Sequence, residues 1–178
     1  AGGGGGPAAS GGAAGRAVTC GGRPGFYTPR GHGWLRWYGE ERHAFYPCRS
    51  SRESGRRLGG SSDAPVITPN VREALRDAVL RRTAAGVVLG ERERLTAEEA
   101  LELYTRDAAW LARADDLVGT LEPGKYADLV ISGADPTAVD AHAVTYRPTR
   151  PTLVGARPVD GAGPLPALRA PAPLAAPR

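Results

Sequence analysis

Arg56-Arg57-Leu58-Gly59-Gly60-Ser61-Ser62-Asp63-Ala64-Pro65-Val66 sets a short apolar run against a Gly/Ser-rich turn and a carboxylate. It reads as a strand running into a loop, although two adjacent arginines make a poor entry to a buried strand. Small residues ahead of Asp63 let the backbone approach a ligand closely. The C-terminal end of a strand is also where barrel enzymes place their chemistry. Asp63 is therefore the candidate functional carboxylate. On spacing alone an aspartate in a Ser/Gly turn is more commonly an Asx-turn residue, so both roles stay open.

Downstream the pattern is clearer. Pro69-Asn70 opens a helix, with Asn70 as N-cap and Val71, Leu75, Ala78 and Val79 at helical spacing; Gly86 is the expected stop. Thr96 with Glu99 three positions on forms a capping box for a second helix. Leu101, Tyr104, Ala108 and Leu111 would line one face of it, with a break near Thr105. Glu122-Pro123-Gly124-Lys125 has Pro and Gly where a type II turn wants them. Ala127 to Ile131 follows as a strand, ended by Gly133 and Asp135-Pro136. Val144 to Tyr146 and Thr152 to Val154 predict weaker strands, interrupted by Pro148 and Pro151. Upstream, Ala17 to Cys20 predicts at most one strand, and Gly25 to Tyr46 reads as an aromatic loop broken by glycines 31, 33 and 39.

The ends are of a different kind. Of the 25 glycines in 178 residues, eleven fall in residues 1–25, and six of the 16 prolines fall in 156–178. Such segments carry too few large side chains to repay the entropy of ordering them. Residues 1–15 read as a low-complexity disordered arm and 161–178 as a Pro/Ala-rich disordered tail. No run of 18 apolar residues predicts a membrane span, and no apolar h-region predicts a signal peptide. With two cysteines, Cys20 and Cys48, in neither a CxxC pair nor a disulfide framework, a reducing cytoplasm is the expected compartment. Met is absent, even at position 1, so either an initiator was removed or the chain begins inside a longer reading frame.

The net charge of +4 is unevenly placed: residues 1–58 carry +6, residues 59–155 carry −4 and the remainder +2. A basic arm with Phe26, Tyr27, Trp34, Trp37 and Tyr38 resembles a nucleic-acid tail in composition. No nucleic-acid fold signature follows it, and the acidic centre repels phosphate. Because 22 of the 23 basic residues are Arg, codon bias is the simpler source of the charge. His32, His43 and His142 match no local metal pattern. Ser61 and Ser62 lack a GxSxG frame, and the Gly2–Gly6 tract lacks the Lys-Ser/Thr of a phosphate loop. Composition and spacing reach a mixed α/β protein and stop there.

The residues themselves carry a resemblance. Gly60-Ser61-Ser62-Asp63-Ala64-Pro65-Val66, then Arg81-Arg82-Thr83 with Gly86, resembles the C-terminal third of an amidohydrolase of family 3. Leu95-Thr96-Ala97-Glu98-Glu99-Ala100-Leu101, Tyr104-Thr105, Ala108-Ala109 and Gly119-Thr120-Leu121-Glu122-Pro123-Gly124-Lys125-Tyr126-Ala127-Asp128-Leu129 extend it. The group includes the N-substituted formamide deformylase-like enzymes. The resemblance runs from about Arg16 to Gly155.

It implies an α/β fold: the last part of a metal-dependent (β/α)8 barrel over 16–118, and part of a small β-sandwich over 119–160. Arg16 to Phe26 would cover the seventh barrel strand, and Gly25 to Tyr46 the long loop after it. Asp63 would follow the eighth strand, as metal ligand and as the group handling the proton of the attacking water. The implied activity is hydrolysis of a small amide or formamide substrate at a non-peptide C–N bond, with a divalent metal, zinc by expectation. No nucleic-acid or membrane partner is expected.

The departures imply an alternative. The family's His-x-His pair, bridging lysine and two later histidines would lie upstream, and none of His32, His43 or His142 falls at those positions. This chain alone is therefore expected to bind no metal. Ser51-Arg52 and Arg57 stand where the family has apolar residues, and unpaired burial of such charge is costly. A catalytically inactive remnant, or a fragment completing another subunit or homo-oligomer, is the alternative reading.

Overall fold

The computed structural model describes residues 20–38, 45–138, 140–145 and 149–159. The expectations for residues 1–15 and 161–178, and His43, lie outside these. Strand β1 (Cys20–Gly22) pairs in parallel with β2 (Leu58–Gly60), with Cys20 opposite Leu58 and Gly22 opposite Gly60. Parallel neighbours need a crossover, and here it contains helices α1 (Tyr27–Tyr38) and α2 (Cys48–Glu53). The expected strand after Arg56-Arg57 is thus real but short, and both arginines lie outside it.

The aromatic stretch expected as a loop is instead a 3-10 turn, Pro24–Phe26, leading into α1. Of the glycines that argued against a helix, Gly31 has a packing reason. A Cβ on Gly31 would stand 2.6 Å from Thr83 Cγ2 and 3.0 Å from Leu89 Cδ1, so glycine lets α1 lie against that segment.

Helix α3 (Val71–Leu80) starts as expected, with Asn70 Oδ1 accepting from the Arg72 N–H at 3.1 Å. It ends earlier than Gly86. Arg81 takes the left-handed cap at φ 49° and its N–H donates to Asp77 O. Gly86 instead serves the turn after it, where its N–H donates to Thr83 O at 2.9 Å. Helix α4 (Ala97–Tyr104) carries the expected capping box in both directions, and Thr105 separates it from α5 (Arg106–Leu111). The core beneath consists of Cys48, Leu58, Leu75, Ala78, Leu95, Ala100 and Leu103. Burial there pushes the Cys48 thiol up to about 11.

β2 has no room for side chains on the helical layer. A Cβ on Gly60 would lie 2.6 Å from the Tyr104 ring, and one on Gly59 would lie 2.8 Å from Leu111 Cδ2. The charges feared as unpaired are paired. Arg52 reaches Glu102 at 2.6 Å and Asp107 at 3.0 Å, while Arg57 lies over the Trp110 ring at 4.5 Å. Acids on α4 and α5, fifty and more residues away, compensate a charge that looked isolated in sequence.

Arg49 clamps Glu99 through two bonds of 2.7 and 2.6 Å. Burial alone raises the Glu99 carboxyl, but the Thr96 N–H and Arg49 outweigh it and hold the value below the ordinary one. An acid lowered by folding contributes stability above its unfolded value and loses it as pH falls through the folded one. The stability gap between the parent and Arg49→Gln, read from urea midpoints, should therefore close on acidification. A gap unchanged from neutral to strongly acid pH would show that the pair contributes nothing. Asp77 works in the opposite sense, because burial raises it against the bonds from Thr28 and Arg76.

After a turn at Pro123-Gly124, with Gly124 at φ 97°, the chain forms β3 (Leu129–Ser132), β4 (Thr149–Val154) and β5 (Arg157–Pro158). They form one antiparallel sheet in that order. Pro151 does not interrupt β4, because the register shifts between Val130 and Ser132, opposite it. A bulge tolerates a residue without an N–H. The strand expected at Val144 is a 3-10 turn, Ala143–Thr145, held by the His142 N–H to Asp140 Oδ1 at 2.8 Å. Tyr146 lies outside the described residues. Among the described residues no helix is long and apolar enough to cross a membrane.

Candidate functional site

Because β1 and β2 are parallel and in register, the residues leaving them emerge at one edge. β1 leads directly into Arg23, and β2 leads through Ser61-Ser62 to Asp63. The Ser61 N–H donates to Gly22 O at 2.8 Å and holds the two exits together. Arg23 Nη1 stands 3.5 Å from Asp63 Oδ2. Tyr46 closes the group from the segment before α2: burial raises its phenol, a hydrogen bond from Arg23 and that residue's charge lower it, and the net direction is up. Tyr46 is therefore a neutral hydroxyl, not a phenolate, at ordinary pH.

The geometry separates the two roles left open for Asp63. An Asx-turn needs the N–H two residues on, which here is Pro65 and has none. The turn is closed instead by the Val66 N–H to Asp63 O at 2.9 Å and by the Ala64 N–H to Ser62 Oγ. Among the described residues the carboxylate has one partner, Arg23, and its side chain is 43% exposed. Asp63 also holds φ at 57°, a region that aspartate tolerates better than most residues. The carboxylate is thus free of its own turn.

Arg81 supports this edge from beneath. It is fully buried, its guanidinium lies 4.2 Å above the Tyr27 ring, and it donates to Leu89 O at 2.5 Å. It also donates to Phe45 O at 2.9 Å, to Tyr46 O at 3.0 Å and to the Tyr27 hydroxyl. No carboxylate faces it in these bonds. One cation thereby fixes the backbone that carries Tyr46.

A cavity adjoins the group, between α1 and Phe45–Tyr46. Phe26, Arg30, Trp34 and Trp37 line its helical side. Sequence reasoning named Phe26, Trp34, Trp37 and Tyr38 here and quoted Arg81 only within the family resemblance, but it gave no site role to Arg23, Arg30, Tyr46 or Arg81. The first follows a strand directly, and the second shares the helical period of the aromatics; those signals were available. Nothing local marks the other two.

A zinc site uses three or four protein ligands. Among the described residues no three His, Cys, Asp or Glu come together, and His32 and His142 do not join Asp63 in such a group. The neighbour of Asp63 is a guanidinium, which repels a cation. The described residues by themselves do not make up such a ligand set.

Comparison with known proteins agrees with this frame. The chain is 36% identical over 115 residues to N-substituted formamide deformylase of Arthrobacter pascens, covering 64% of this chain and 21% of that protein. An uncharacterized metal-dependent hydrolase from Pyrococcus horikoshii OT3 superposes with a TM-score of 0.64 at 26% identity, over 76% of this chain and 28% of its own. Another from Pyrococcus furiosus gives 0.54 at 28% identity, over 68% and 24%. The chain thus spans between a fifth and a third of the length of these relatives. The resemblance carried by the Ser-Ser-Asp-Ala-Pro-Val box and the Gly119–Leu129 segment holds, and the amidohydrolase family profile matches residues 13–160. The chain belongs to the amidohydrolase family.

Proposed function

We propose that this chain is the Asp63-bearing part of a hydrolase that cleaves non-peptide carbon–nitrogen bonds in amides or formamides. In this reading β1 and β2 are the seventh and eighth strands of a (β/α)8 barrel, and residues 119–160 are part of a β-sandwich. The observation that carries the proposal is the carboxylate of Asp63, placed at the C-terminal edge of parallel strands and unused by its own turn. Such a group accepts the proton of a water attacking the carbonyl carbon, then returns it to the departing nitrogen. Arg23 fixes the orientation of the carboxylate, and Tyr46 offers a neutral hydroxyl beside it.

A divalent metal, zinc in our reading, would activate the water in the longer relatives' reaction, with Asp63 as one ligand. One carboxylate does not make that site, so no step is assigned here to an ion. The same observation favours a second reading, in which the chain completes a site on another polypeptide or is an inactive remnant.

A chimera separates the two. Residues 20–159 replace the segment they match in the Arthrobacter enzyme, and release of amine from an N-substituted formamide is measured. Turnover above the blank by a folded chimera is the expected result. A folded, metal-loaded chimera without turnover would sink the hydrolase reading and leave the remnant.

A further inference from the structure

The face of α1 that looks onto Phe45 and Tyr46 is one helical stripe, with Arg30, Trp34 and Trp37 at spacings of four and three and Phe26 one turn earlier. The cavity between them is about 550 Å³, within the range of about 300–1,000 Å³ that small-molecule sites occupy. Trp34 stacks on Phe45 with centroids 4.9 Å apart, which makes one wall flat and rigid. Trp37 is 75% exposed.

The charge is one-sided. Arg30 makes one polar contact among the described residues, a long 3.5 Å hydrogen bond to Val66 O, and no ion pair. Arg36 lies 5.9 Å from the Trp37 ring centroid, and among the described residues the nearby acid, Asp63, faces Arg23. The cavity therefore offers aromatic walls and a guanidinium that makes no ion pair among the described residues. Two of its residues reach the Asp63 edge: Arg30 bonds the Asp63 loop at Val66, and Tyr46 lies beside Arg23.

We infer that this cavity binds an aromatic ring bearing a carboxylate, the ring against Trp34, Trp37 and Phe45 and the carboxylate on Arg30. Aromatic walls favour a flat ring over an aliphatic chain of equal size. A guanidinium without an ion pair among the described residues favours a carboxylate over a neutral amide. Calling the ligand a substrate rests on the hydrolase reading above; the binding itself does not.

Gly33 provides the control. A Cβ there meets nothing within 4 Å, so a larger side chain grows into the cavity without a clash, and it replaces a poor helix former. The full chain is titrated with phenylacetate, phenylacetamide and acetate by calorimetry and tryptophan fluorescence. Phenylacetate should bind about tenfold or more tightly than phenylacetamide, and acetate should not saturate. Arg30→Gln should bring acid and amide to equal affinity, and Gly33→Leu should abolish both with an unchanged circular dichroism spectrum. Equal affinities in the parent, no binding of either ring, or binding that survives Gly33→Leu would overturn the inference. Asp63→Asn should retain phenylacetate binding, and loss there would equally overturn it. Binding retained in a chimera that cannot hydrolyse a formamide would instead remove the hydrolase reading alone.

Discussion

Asp63→Asn, introduced into an active chimera, should lower amide or formamide turnover by about 10²–10⁴-fold with the fold unchanged. Asparagine keeps the shape and tolerates the left-handed backbone at φ 57°. It cannot accept the proton of water, and it loses the ionic contact to Arg23. The fall should appear in kcat and kcat/KM together, as for a group used in the transition state rather than in ground-state binding. A turn residue predicts the opposite, because asparagine serves turns as well as aspartate does. That alternative has already lost its geometry at Pro65. Rates within a few-fold of the parent would remove Asp63 from the chemistry.

Arg81→Ala carries the largest expected cost to stability, about 3–5 kcal/mol. The variant leaves the buried carbonyl of Leu89 and the half-buried carbonyls of Phe45 and Tyr46 without their donor. It also opens a hole over the Tyr27 ring. Arg81→Lys should recover only part of the loss, since a point charge cannot reach three carbonyls in different directions as a planar fork does. Urea midpoints measure the cost. A loss below about 1 kcal/mol would mean that the carbonyls find other partners. The intrinsic fluorescence should shift as well, because Trp34 stacks on the segment that Arg81 holds.

The parts of the fold legible in sequence were those decided within one turn of chain. The Asn70 cap, the Thr96–Glu99 box, the break at Thr105 and the turn at Pro123-Gly124 depend on neighbours three or four residues away. The parts that were not legible depend on partners far along the chain. Helix α1 keeps Gly31 because Thr83 and Leu89 press against it, which no local propensity records. Arg81 caps α3 in a conformation that favours glycine, because its buried bonds repay the strain. Arg52 looked like a misplaced charge until α4 and α5 supplied its acids.

The site divides in the same way. Asp63 was legible from its place after a strand and from the family resemblance, whereas Arg23 and Tyr46 reach it across the crossover. One clue went unused: a proline two residues on already removes the N–H that an Asx-turn requires.

The two glycines of β2 have an evolutionary reading. With Tyr104 and Leu111 seated where their side chains would go, neither position accepts even a methyl group, so the strand that presents Asp63 is closed to drift. At Gly33 on α1, by contrast, a Cβ meets nothing within 4 Å. Tolerance to substitution is thereby unequal: the ground under the carboxylate is crowded by Tyr104 and Leu111, while the open position lies on α1.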